Sequence, residues 1–336
     1  MIQQTAAATG VGSLPGTDPR AAATLVAGEL PDLLHLAELP ARGPGADLVG
    51  RAAGLLVDLH ADVQPSGWRL VDRPGMDERR AVSYLSHDLD ELEAAAEGYA
   101  GTVKVQVCGP WTLAAALRLS RGEPVLSDAG AVQDLAASLA EGVAAHVAEV
   151  RRRLPGAEVL LQLDEPALPA VLLGGIRSSS GARQFDPVPP SYAQGLLRSV
   201  VAAAGAPVVA HCCADRPPVE LLHGAGVTAL SLDLTVLAAE LDDQVGAAVE
   251  GGLTLYAGVV PSLPPTRPAP SDAAATVEPV RRMWRRLGLS PETLATTVVT
   301  PTCGLAGASP AWVRTALRLA REGARQLADD PEDMPT

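Results

Sequence analysis

The stretch Ala206-Pro-Val-Val-Ala-His-Cys-Cys213 decides the fold. Small and β-branched apolar residues run without alternation up to a sudden imidazole and two thiols. A short continuous apolar run reads as a strand buried on both faces, the condition of a parallel strand covered by helices. Runs of the same kind recur along the chain. The predicted strands are Thr9–Leu14, Leu33–Leu39, Thr102–Cys108, Glu158–Leu163, Pro207–Cys212, Val227–Leu234, Thr254–Val260 and Thr297–Thr302. Helical periodicity fills the intervals. It is clearest over Asp128–Leu154, where apolar residues recur every three to four positions until Pro155-Gly156. Ser309-Pro310 supplies an N-cap and a first-turn proline for a last helix through about Gln326.

Eight strands separated by helices is the count that closes a (β/α)8 TIM barrel, an α/β fold of about 250 residues. The excess length in a single domain over residues 1–336 is assigned to insertions at Gly43–Arg80, after the second strand, and Gly174–Pro190, after the fourth. The acidic, proline-bearing end 328–336 is expected to fray. An open doubly wound sheet would need a glycine-rich phosphate turn, and Gly10-Val-Gly-Ser-Leu-Pro15 does not complete one.

Composition narrows the function. The chain has 336 residues, with 26 basic against 39 acidic side chains and a net charge of −13, which argues against nucleic-acid or anionic-membrane partners. No apolar run reaches the roughly 18 residues of a membrane span, and the first twenty residues lack a signal-peptide pattern, so a cytoplasmic protein is expected. Four cysteines in a reducing compartment point to metal or catalysis before disulfides. The single lysine, Lys104, and the single phenylalanine read as compositional bias.

Barrel enzymes assemble their sites at the C-terminal strand ends. Those ends carry Gly12-Ser13, Glu38, Cys108-Gly-Pro110, Asp164-Glu-Pro166, His211-Cys-Cys213, Asp233, Val260-Pro-Ser262 and Cys303-Gly304. Residues two apart on a strand face the same way, so His211 and Cys213 point together while Cys212 faces oppositely. With Asp233 and Cys303 they make a set of one imidazole, two thiolates and a carboxylate, suited to tetrahedral Zn²⁺. A metal held by two thiolates is a poor generator of hydroxide, but it keeps a substrate thiol deprotonated, which favours alkyl transfer to sulfur over hydrolysis. Glu38, Asp164 and Glu165 then suit a cationic substrate group such as an α-amino group, and Ser13 with nearby backbone N–H groups suits a carboxylate. Cys108 and Cys212 read as packing residues.

Val11-Gly-Ser-Leu-Pro15, Gln162-Leu-Asp-Glu-Pro-Ala167, His211-Cys-Cys213 and Pro301-Thr-Cys-Gly-Leu305 together resemble the catalytic barrel of cobalamin-independent methionine synthase. That superfamily also holds uroporphyrinogen decarboxylase and zinc thiol methyltransferases. The resemblance runs in order from residue 9 to about 325 and implies a stand-alone C-terminal catalytic barrel that methylates homocysteine sulfur at zinc. By this likeness His211, Cys213 and Cys303 match zinc ligands, and Asp233 falls where the family has a glutamate. Ser13, Glu38 and Asp164 match positions that hold the amino acid. The end of the seventh strand, Val260-Pro-Ser-Leu263, stands where the family has an aspartate and a histidine associated with proton transfer. The methyl donor is expected to be methyltetrahydrofolate or a methyl-corrinoid, free or on a corrinoid protein. The alternatives are a zinc thiol methyltransferase with another acceptor and a metal-free uroporphyrinogen decarboxylase-like lyase.

Overall fold

The computed structural model describes residues 7–265 and 272–329. Nine strands occur among them, numbered here in chain order: β1 Leu33–His35, β2 His60–Gln64, β3 Gly67–Val71, β4 Thr102–Cys108, β5 Glu158–Asp164, β6 Val208–Cys212, β7 Ala229–Asp233, β8 Thr254–Val260 and β9 Val298–Pro301. Seven form one curled parallel sheet in the order β1-β4-β5-β6-β7-β8-β9, and β2–β3 is a separate antiparallel hairpin. β4 and β8 keep the predicted bounds.

The predicted first strand, Thr9–Leu14, differs. It makes isolated parallel bridges, Ala8 with Val299 and Ser13 with Glu38, and no continuous ladder. Gly10 explains the gap, since its N–H donates to Nδ1 of His35 at 3.3 Å and not to a neighbouring strand. The predicted second strand shortens to β1 for the related reason that Glu38 pairs only across that bridge. Within Gly43–Arg80 the chain forms the helix Leu48–Ala53 and the β2–β3 hairpin, and within Gly174–Pro190 it is largely irregular with one bridge, Arg177 with Gln184.

Two-residue alternation sorts the strands into two faces. Leu34, Val103, Val105, Leu161, Leu163, Ala210, Leu230, Leu232 and Ala257 lie in the large core that the helices cover. The opposite, concave face begins with a separate apolar plug of Ala7, Leu33, Leu160, Val209, Ala229, Tyr256 and Val298. One layer further toward the C-terminal strand ends the concave face turns polar, with His35, Lys104, Gln162, His211, Ser231 and Thr300 all buried. The site sits above that polar layer.

The covering helices are anchored as their sequences dictate. The carboxylate of Asp128 accepts from the N–H groups of Gly130 and Ala131 at 2.9 and 3.0 Å, starting Ala129–Arg153. Ser309 Oγ accepts from Trp312 N–H at 3.2 Å, and the last helix runs Pro310–Asp329. That helix extends two residues into the stretch expected to fray, and 330–336 lies outside the described residues. No helix among the described residues is long and apolar enough to cross a membrane.

Candidate metal centre and substrate cavity

A cavity of about 170 Å³ opens at the C-terminal strand ends, walled by Ser13, Glu38, Gln106, Asp164, Cys213 and Cys303, with His211 at its base. The donor atoms of His211, Cys213 and Cys303 all lie within 4.8 Å of one another. The three come from the end of β6, the residue after it, and the turn that follows β9. The two sulfurs are 3.5 Å apart, close to the ~3.8 Å separation of two thiolates each about 2.3 Å from a tetrahedral centre.

His211 is oriented by its second nitrogen. Nδ1 pairs with Ser231 Oγ at 2.9 Å across the β6–β7 ladder, whereas Nε2 is buried without a partner. An orphaned buried nitrogen costs free energy unless something occupies it, and an imidazole fixed by an outer hydrogen bond is how metal-ligating histidines are held. The thiols behave as a pair. The hydrogen bond with Cys213, with the His211 ring close by, pulls the first deprotonation, at Cys303, well below the usual thiol range. That same hydrogen bond, then burial and the charge on Cys303, push Cys213 up. One imidazole and two thiols fit a tetrahedral zinc ion.

The fourth expected ligand is placed differently. Asp233, at the end of β7, does not fall in the cluster. Its Oδ1 accepts from Thr235 N–H at 2.8 Å and Thr235 Oγ1 at 2.6 Å, so the carboxylate turns back onto its own loop.

Among the expected substrate groups, Ser13, Glu38 and Asp164 line the cavity and Glu165 does not. Glu165 is fully buried, and its carboxylate accepts from Trp111 N–H at 2.9 Å, Thr112 N–H at 2.8 Å and Thr112 Oγ1 at 2.7 Å. It therefore braces the start of the helix Pro110–Ala116. Adjacent residues at a strand end face opposite sides, so Asp164 and Glu165 do not share the cavity. Burial pushes the carboxyl groups of Glu38 and Glu165 up to about 7, and that of Asp164 to about 6. Two such carboxyl groups in a small cavity are set to receive a cation.

Lys104, read from sequence as compositional bias, lies under this cavity. Its Nζ donates to Val11 O at 2.9 Å and to Gln162 Oε1 at 2.7 Å, and Gln162 Nε2 in turn donates to Asp164 Oδ1 at 2.7 Å. The ammonium thus fixes which way the Gln162 amide faces, and so presents an N–H to Asp164. Burial pulls Lys104 down to about 7. Cys108 and Cys212 are fully buried, and burial raises both thiols, Cys212 to about 12.

A curled parallel sheet whose strand ends bring an imidazole, two thiols and buried carboxyl groups to one cavity defines an α/β enzyme of the barrel type. Residues 6–326 match the family described as cobalamin-independent synthase, catalytic domain, and the chain belongs to that family. It is a methionine synthase-like enzyme, and methyl transfer is the chemistry of that class. No curated protein matches. A B12-independent methionine synthase from Shewanella sp. W3-18-1, solved in complex with selenomethionine, shares the fold at TM-score 0.65 and 12% identity, over 97% of this chain and 99% of that one. A mannanase from Bacillus subtilis aligns at TM-score 0.46 and 13% identity, over 98% of this chain and 86% of its own.

Proposed function

We propose that this chain is a zinc-dependent S-methyltransferase that methylates the thiol of homocysteine to give methionine. The observation that carries the reading is the His211, Cys213 and Cys303 cluster within 4.8 Å, at the edge of a cavity that also exposes Glu38 and Asp164. His211 Nε2 and the two thiolates would hold zinc, with Asp233 left on its loop. Zinc bound there supplies a positive centre that keeps the acceptor thiol ionised and nucleophilic near neutral pH. Glu38 and Asp164 bind the α-ammonium, and Ser13 binds the α-carboxylate. Together they hold the sulfur in one place relative to the incoming methyl group, which removes orientational freedom before the transfer. The thiol proton leaves to solvent, the carbon–sulfur bond forms, and the donor's bond to the methyl group breaks.

The end of β8, Val260-Pro-Ser-Leu263, brings no acid to the cavity. That favours a donor needing no proton to release its methyl, such as a methyl-corrinoid, over methyltetrahydrofolate, where general acid help is worth roughly 10²–10⁴-fold. The reading includes one domain built as a closed (β/α)8 barrel with insertions after the second and fourth strands. The bridges of Ala8 to Val299 and Ser13 to Glu38 support residues 7–14 as its first stave. Four unpaired cysteines agree with the cytoplasm. A metal-free lyase of the decarboxylase type leaves the orphaned His211 Nε2 and the paired thiols without a role.

Cys303→Ala and His211→Ala test the assignment. Each is expected to abolish zinc retention and leave the melting curve cooperative. Stoichiometric zinc in either variant overturns the ligand set.

A further inference from the structure

Gln106 is the polar side chain of the cavity wall that neither the sequence nor the proposed reaction accounts for. It lies on β4, is 4% exposed, and shares the cavity with Glu38 and Asp164. Its Nε2 donates to Leu36 O at 2.6 Å. That bond fixes the amide orientation, because the reverse would press two acceptor oxygens together. Gly12 holds the same side chain from the other side, since a Cβ there would stand 2.7 Å from Gln106 Nε2. The consequence is an Oε1 that is buried, immobilised and without a partner. Leaving such an acceptor unmet costs free energy that a hydrogen-bonding ligand recovers.

We infer that Gln106 Oε1 is the third acceptor for the ammonium group of the acceptor substrate, and that it makes the cavity selective for thiols bearing a primary amine. The inference rests on the homocysteine reading and deepens it. An ammonium has three N–H donors. Glu38 and Asp164 satisfy two of them, and their two carboxylates already outweigh the single ammonium charge. A third carboxylate would bury further uncompensated charge, whereas a neutral amide oxygen satisfies the last donor without adding any. Gln106 is a binding residue in this account and takes no part in the methyl transfer itself.

The test compares homocysteine with 4-mercaptobutanoate, the same thiol acid without its amine. Binding is read by calorimetry on zinc-loaded protein. Gln106→Met keeps the length and removes the acceptor, and it is expected to weaken homocysteine binding about tenfold or more, as for a lost hydrogen bond to a charged group. Binding of 4-mercaptobutanoate is expected to change less than twofold. Equal weakening of both ligands, or no weakening of either, overturns the inference. Gln106→Glu, held protonated by burial so that its O–H replaces the amide donor to Leu36 O, keeps an acceptor oxygen toward the cavity and is expected to retain the preference for homocysteine. If Gln106→Met does not fold, loss of that preference in Gln106→Glu overturns the inference instead. Failure of the parent protein to bind homocysteine refutes the underlying reading, whereas normal binding with an indifferent Gln106→Met refutes only the role of Gln106.

Discussion

Glu165→Gln separates a brace from a substrate ligand. The substitution keeps shape and volume but turns one acceptor oxygen into a donor. Glu165 Oε1 receives Trp111 N–H at 2.9 Å, and Oε2 receives Thr112 N–H at 2.8 Å and Thr112 Oγ1 at 2.7 Å. Whichever way the new amide turns, its NH₂ faces a backbone N–H, and at least one buried donor at the start of Pro110–Ala116 loses its partner. A buried unsatisfied donor costs about 1–3 kcal/mol. For a chain of this length that lowers the melting temperature by roughly 1–4 °C. Because Glu165 does not line the cavity, homocysteine affinity should stay within twofold. Urea unfolding with calorimetric melting measures the first quantity, and titration of the zinc-loaded protein measures the second. A tenfold loss of affinity with unchanged stability would refute the brace and return Glu165 to the substrate, where the Asp-Glu-Pro turn first suggests it.

Four further outcomes follow from the same geometry. Ser231→Ala frees the Nδ1 side of His211 and should weaken zinc affinity about 10–100-fold, measured by chelator competition. An unchanged affinity would mean that the ring is held by packing alone. Homocysteine affinity should strengthen as pH rises from about 5.5 to 8, since binding an ammonium needs ionised Glu38 and Asp164, whose carboxyl groups sit near 7 and 6. Lys104→Met removes a charge that holds Asp164 down and should move that profile to higher pH by about one unit. A pH-independent affinity, or a shift in the opposite direction, would contradict this. The stability consequence has the opposite sign. A carboxyl group raised in the folded state stabilises below its unfolded value and loses that contribution as pH rises through about 7. Glu38→Gln should therefore remove roughly 3 kcal/mol of pH dependence between pH 4.5 and 7, read from urea midpoints.

The fold is legible in the sequence where the physics is local. β8 is a nearly continuous apolar run closed by Pro-Ser, β4 is rich in valine and closed by Gly-Pro, and the ends of both coincide with the predicted ones. The predicted first strand is not legible as it forms, because Gly10 diverts its N–H to a side chain twenty-five residues away. The His-x-Cys spacing places His211 and Cys213 on one side of β6, and the second sulfur, from Cys303, depends on a strand almost a hundred residues later. Asp233 and Glu165 show the limit of reading strand ends alone. A residue at the correct end still turns to its own loop or into a neighbouring helix when donors there are nearer. Lys104 carries a signal that composition hides. Thr102, Lys104, Gln106 and Cys108 alternate with valines on β4, a polar face on a fully buried strand. Such a face is sustained only when the concave side of the sheet supplies partners, and here it does so through Val11, Leu36 and Gln162.

The most direct test of the central claim is the zinc content of purified protein, read together with proton release on homocysteine titration. The account predicts about one zinc per chain and release of about one proton per homocysteine bound near neutral pH. Protein that takes up no zinc after reconstitution under reducing conditions, or that binds homocysteine without releasing a proton, would contradict it.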